Sequence, residues 1–253
     1  MGKDILEEAK RLFVHELKSK RGEEGEAELM EGDVLISRPL SPMEALGDPG
    51  RDDLPVLRGK EVLMQAVFRG CYGQAFTSAA GSFKGTLGDV LDLPLEGGFE
   101  RAVLISTMNA TLRYHGLIEG TVHCKDDGPK RCGQCLAEWI KGQEADKFGL
   151  IGMQPALLEA MVAAAGPERV MVSDLDLAGS VSCGVAVLDG MNCTEIFERC
   201  QIILITGSAL ANGTMDGLME CARRHKNRTI FFGTTISGPA YLLKLERWCP
   251  SST

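Results

Sequence analysis

His123, Cys124, Cys132 and Cys135 fall within one short run, TVHCKDDGPKRCGQC. Thiolate sulfur and imidazole nitrogen are the ligands that a borderline-soft divalent metal prefers, and a set of this kind closes a tetrahedral zinc site. Gly128 and Pro129 can fold the two halves of the run together, and Gly133 leaves backbone amides free to donate to sulfur. Lys125, Lys130 and Arg131 favour the thiolate, which is the form that binds metal. Other readings stay open. Three cysteines suit an iron–sulfur cluster, and His123 and Cys124 point apart if the chain there is extended. A C-x-x-C that opens a helix is also a redox dithiol, and buried cysteines can simply fill a core. A metal ion, zinc or iron, is the expectation carried forward, with a cluster as its variant.

A second chemistry lies where apolar runs give way to small polar residues. The run QIILIT leads into Gly207, Ser208, Asn212, Gly213 and Thr214, and RTIFFG leads into Thr234, Thr235, Ser237 and Gly238. Glycines let a backbone approach a ligand, and unpaired amides at a helix start attract anions. RVMVSD ends at Asp174, about 20 residues beyond Gly152, where nucleotide-binding folds place a carboxylate against a ribose. The chain has neither G-x-G-x-x-G nor a Walker A motif, so the ligand is not named by a fingerprint. Such residues also cap helices and build turns. Asn109, Arg113 and His115 sit on or near the helix before the cysteines and could face the same cleft. No Ser–His–Asp order or paired carboxylates support hydrolysis.

These residues need elements to hold them. Ile5, Leu6, Ala9, Leu12, Phe13 and Leu17 recur at helical spacing. DVLISR reads as a strand, EVLMQAVFRG and GQAFTS as a strand pair about Gly70–Gly73, and GTLGDVLDL as a short helix. ERAVLISTMNATLRYHG reads as a longer helix with Ala102, Ile105, Met108 and Leu112 on one face and Gly116 as its stop. Beyond the cysteines, strands KFGLIG, RVMVSD, QIILIT and RTIFFG alternate with helices MQPALLEAMVAAAG, ALANGTMDGLMECARRH and GPAYLLKLE. Apolar strands alternating with helices predict an α/β fold with a parallel sheet covered on both faces. A boundary near residue 140 divides the chain into an α+β domain, 1–140, and an α/β domain, 141–253. The polar stretch from Pro39 to Glu61 is long for a compact domain and predicts a lid, a partner-binding loop or a solvated insertion.

The 253 residues carry a net charge of −8, which disfavours nucleic acid and anionic membranes as partners. No apolar run is long enough to span a bilayer, and the charged opening segment has no signal-peptide core. A soluble, cytoplasmic protein is expected, in which nine cysteines are free thiols or metal ligands. Nothing here stands against a homo-oligomer.

ITGSALANGT followed by FFGTTISGPAYLL resembles the C-terminal region of the DUF364 family, named for proposed heavy-metal chelation. GQAFTSAAGSFKGTLGDVLDL and RAVLISTMNATLRYHG resemble its companion N-terminal domain, DUF4213. The resemblance implies an enolase-N-terminal-like domain, a Rossmann-like domain, and a site between them that includes Asn109 and residues 207–214. Three functions follow: metal binding beside an interdomain cleft, an enzyme for a nucleotide-like or phosphorylated small molecule, and a non-catalytic assembly factor that uses the stretch from Pro39 to Glu61.

Overall fold

Apolar side chains that return every three to four positions make the first element. Leu6, Ala9, Phe13 and Leu17 are buried along helix α1 (Ile5–Ser19). The computed structural model describes residues 4–19, 25–59 and 61–253. Parts of the charged opening segment (1–3 and 20–24) and Lys60 of the polar stretch lie outside the described residues.

After α2 (Glu26–Met30), β1 (Asp33–Ile36) and α3 (Pro42–Leu46), strands β2 (Val62–Phe68) and β3 (Cys71–Thr77) form an antiparallel hairpin. Its turn is Arg69–Gly70, both at positive φ (48° and 80°), the mirror-image geometry whose twist matches the strands it joins. β4 (Phe83–Thr86) pairs with β1 to complete a four-stranded sheet in the order β3-β2-β1-β4. The short α4 (Leu87–Leu91) starts on a reciprocal Thr86–Asp89 capping box.

The long helix α5 (Gly98–Tyr114) ends at Gly116, whose φ is +66°, as its sequence predicts. It does not bury one face, however. Every side chain from Ala102 to Leu112 is buried, because α5 lies between the first sheet and the second half of the chain. Gly73 permits the contact with β3: a Cβ there would stand 2.2 Å from both Ala110 N and Ser106 O.

Helix α6 (Gly128–Lys141) precedes the second sheet, which is built from β5 (Phe148–Ile151), α7 (Pro155–Ala165), β6 (Val170–Asp174), β7 (Val181–Ser182), β8 (Val185–Asp189), α8 (Thr194–Arg199), β9 (Ile202–Thr206), α9 (Ser208–Ala211), α10 (Met215–His225), β10 (Arg228–Phe232) and α11 (Ser237–Leu243). The order is β10-β9-β5-β6-β8-β7; all pairs are parallel except the edge hairpin β7–β8. Counted along the chain, the parallel strands lie 3-2-1-4-5, so the strand order reverses between β5 and β9. The predicted helix ALANGTMDGLMECARRH is two helices, α9 and α10, because Gly213 at φ +74° breaks it.

One core runs from α1 and the first sheet through α5 to one face of the second sheet, where Ile203, Ile205 and Phe231 join it. The other face packs against α6 and α7, with Cys132, Leu136 and Ile140 set against Leu157 and Met161. The architecture is mixed α/β with two sheets, and α6 packs with the parallel one although it precedes residue 141. Among the described residues, no helix is long and apolar enough to cross a membrane.

Candidate functional site

Where strand order reverses, the loops after neighbouring strands diverge and leave a crevice at the carboxyl ends. Here that crevice is a cavity of about 650 Å³, a size suited to a small organic ligand. Its floor is the loops after β5, β6, β9 and β10, and its roof is Phe76, Ser78 and Ala79 with Gly98 and Arg101 from the first turn of α5.

The polar stretch 39–61 closes one side as a strap. Ser41 caps α3 reciprocally with Glu44, and Ala45, Leu46, Leu54 and Val56 form a small core with Leu63. Leu46 O accepts from Asp126 N at 2.8 Å. Arg51 reaches across the molecule to Glu159 of α7 at 2.7 Å while also holding Asp53. The strap then delivers Leu54, Val56 and Glu61 to the cavity.

Of the residues singled out in the sequence, Asp174, Gly207, Ser208, Asn212, Gly213 and Thr214 line this cavity. Asp174 is largely engaged: Oδ2 accepts from Met153 N at 2.8 Å, and Oδ1 accepts from Asp176 N and Leu177 N. It joins the loops after β5 and β6, and Asp176 beside it is exposed. Gly207 lies so close to the next loop that a Cβ would stand 2.7 Å from Ile236 N. Asn212 Oδ1 is buried with no donor among the described residues.

Asn109, Thr234 and Ser237 are not on the cavity. Asn109 Nδ2 donates to Gln74 O (2.9 Å) and Thr234 O (3.0 Å), and its Oδ1 accepts from Gly238 N (2.6 Å). Ser237 Oγ lies 2.8 Å from both Gly120 O and Thr234 O. These buried side chains join the two halves of the chain, because a backbone group out of water needs a partner. Arg113 bonds Thr121 Oγ1 and is likewise a support.

Two cavity residues were not anticipated. Glu61 ends the strap; burial pushes its carboxyl up to about 7, with Asp174 and Asp176 adding to the rise and a bond to Ser208 opposing it. Arg101 donates to Ala211 O (2.8 Å), Leu95 O (3.0 Å) and Glu96 O (2.9 Å), which sets its guanidinium beside Gly213. A cation next to the apolar run Ala102–Ile105 at the start of α5 was the available signal for Arg101. For Glu61 there was none.

The expected metal set does not gather. Cys124 and Cys132 are buried, Cys135 is exposed, and His123 turns to the cavity, where its ring meets Phe76 edge-on at 5.1 Å. Burial holds the His123 imidazole neutral, its pKa pushed down to about 4. Residues 128–141 are helix where a closing loop was expected, with Cys132 facing the core at its buried edge and Cys135 exposed. Among the described residues, no three of His, Cys, Asp and Glu could hold a metal ion together. A zinc, iron or iron–sulfur centre on His123, Cys124, Cys132 and Cys135 therefore does not fit.

The fold and cleft define a mixed α/β protein with a crevice at the reversal of strand order. The DUF364 family model, described as "Putative heavy-metal chelation", matches residues 136–243. A DUF364-family protein of unknown function from Pyrococcus horikoshii is similar in structure, with a TM-score of 0.52 at 14% identity, over 91% of this chain and 79% of that one. Another, from Desulfitobacterium hafniense DCB-2, gives 0.45 at 15% identity over 77% of this chain and 78% of that one. At such identities the likeness is one of fold alone. No curated protein matches the chain.

Proposed function

We propose that the cleft binds a small organic ligand with a nucleotide-like division into an apolar part and a hydroxyl-bearing part. In this reading the two halves of the chain are the enolase-N-terminal-like and Rossmann-like domains of the resemblance. The observation that carries the proposal is that one cavity, at the reversal of strand order, is lined by Asn212, whose Oδ1 has no donor among the described residues, and by Glu61, whose carboxyl is raised to about 7. A ligand hydroxyl or amine satisfies the first, and the second can accept or give a proton at physiological pH. Leu54, Val56, Phe76 and Met153 offer an apolar wall, and Arg101 offers a cation for one anionic group.

The description of the family model favours an extension of this reading. A heavy metal reaches the cleft as part of an organic chelate, since the protein builds no centre of its own among the described residues. Metal analysis of protein purified without oxygen is then expected to find far less than one zinc or iron per chain. A full equivalent held by the cysteines would overturn the extension.

The main test is a thermal-shift screen with nucleosides, nucleotides and dinucleotides. A ligand at about 100 times its Kd stabilises by about 2.7 kcal/mol, and Asn212→Leu should remove that shift. If no compound of these classes raises the wild-type Tm, the proposal fails.

A further inference from the structure

Cys124 and Cys132 are left over from the metal expectation, and their surroundings suit a different chemistry. Gly128 and Cys132 lie four apart in α6, so they stack on one side of the helix. Cys124 covers that side: a Cβ on Gly128 would stand 2.6 Å from Cys124 Cβ and 3.0 Å from its Sγ. The absence of a side chain at Gly128 lets the Cys124 thiol lie over the first turn of α6, on the side that Cys132 shares. The two retain 7% and 8% exposure, so they are less deeply buried than Cys200 at 2%.

We propose that Cys124 and Cys132 form a dithiol that exchanges with small disulfides of the glutathione class. The Cys132 thiolate attacks one sulfur of the small disulfide, and the other sulfur leaves as a thiolate. Cys124 then loses its proton and attacks the Cys132 sulfur of the mixed disulfide, expelling the second small thiolate. Two protein thiols are oxidised by two electrons, and one small disulfide is reduced to two thiols. The roles follow from the surroundings. The neighbouring Cys124 thiol, then Ser251 and Arg131, lower the Cys132 thiol below its ordinary value in spite of burial. Cys124, beside that thiol and buried, holds its own proton more tightly. Cys135, the C-x-x-C partner in the sequence, is on the solvent side and takes no part.

The link bears on the cleft without depending on what the cleft binds. His123 precedes Cys124, and Pro129 opens α6; both line the cavity. A disulfide would fix that wall.

The test treats the full chain with 2-hydroxyethyl disulfide and maps the products by mass spectrometry. The wild type is expected to lose two hydrogens in mass through a Cys124–Cys132 link, with a mixed disulfide on Cys132 appearing first. Cys135→Ser should form the same link, and Cys124→Ser should stop at the Cys132 adduct. A Cys132–Cys135 link, loss of the link in Cys135→Ser, or wild type in which Cys135 is modified while Cys124 and Cys132 stay reduced would each overturn the proposal. The wild-type and Cys135→Ser arms decide it even if Cys124→Ser fails to fold.

Discussion

The two walls of the cleft are fixed on different physical terms. The wall from the parallel sheet is held from several directions: Asp174 joins two strand-end loops, Gly207 touches the backbone of Ile236, and Gly207 N donates to Phe232 O at 2.9 Å. The opposite wall is the strap, with a small core of its own and a fastening from Arg51 to Glu159 at its far end. The first is tied in by backbone bonds and the close approach of Gly207 to Ile236, whereas the far end of the second is held by a partly exposed ion pair. Shape is therefore set by the sheet, and access is set by the strap.

The largest effect should come from the joint that both walls rest on. Asn109→Ala leaves Gly238 N without its partner and removes a donor from Gln74 O and from Thr234 O, which keeps Ser237, and a loss of roughly 3 kcal/mol in urea unfolding is expected. A loss below about 1 kcal/mol would mean that the halves are joined some other way.

On the sheet wall, Gly207→Ala forces a Cβ against the Ile236 backbone, and a loss of about 2 kcal/mol is expected. If the wall is as rigid as described, ligand-dependent Tm shifts should fall along with the stability. Preserved binding in a destabilised variant would argue for a softer wall.

Glu61 tests the strap wall through pH. Its folded pKa, about 7, lies above the ordinary 4.5, so the folded state holds the proton more tightly. The stability this provides is complete below pH 4.5 and is lost as pH rises through 7. Relative to Glu61→Gln, the wild type should lose on the order of 2 kcal/mol between about pH 5 and pH 8. Parallel pH profiles for the two proteins would remove Glu61 from the buried side of the cleft.

The smallest thermodynamic effect belongs to Arg51→Ala, which opens a partly exposed pair and should cost less than about 1 kcal/mol. Limited proteolysis should nonetheless cut the strap several-fold faster. Unchanged cleavage would mean that the fastening does not restrain it.

Much of the parallel half was legible because strands buried on both faces must be apolar, as residues 148–151 and 202–205 are. Once those strands are placed, their following loops have to converge, so Gly207, Ser208 and Asn212 came with them. Helix α6 was harder to see because its cysteines have both metal-ligand and helical spacing. Pro129 in the first turn and Cys132, Leu136 and Ile140 at four-residue steps favoured the helix. Asn109 was placed in the cleft, but it works as a joint to a carbonyl 125 positions away, a partnership no local pattern encodes. Glu61 stayed hidden for the same reason, since its proton affinity is set by burial in the cleft and then by Ser208, Asp174 and Asp176.

The core that α5 shares with both sheets has a kinetic consequence. Two lobes that bury separate interiors can swing apart like jaws to exchange what they hold, but these halves cannot without exposing Ile105, Met108 and Phe231 to water. For the ligand proposed above, the part of the cleft left free to yield is the segment 39–61. The exchange rate should rise with anything that loosens that segment, while the stability of the whole molecule stays almost unchanged.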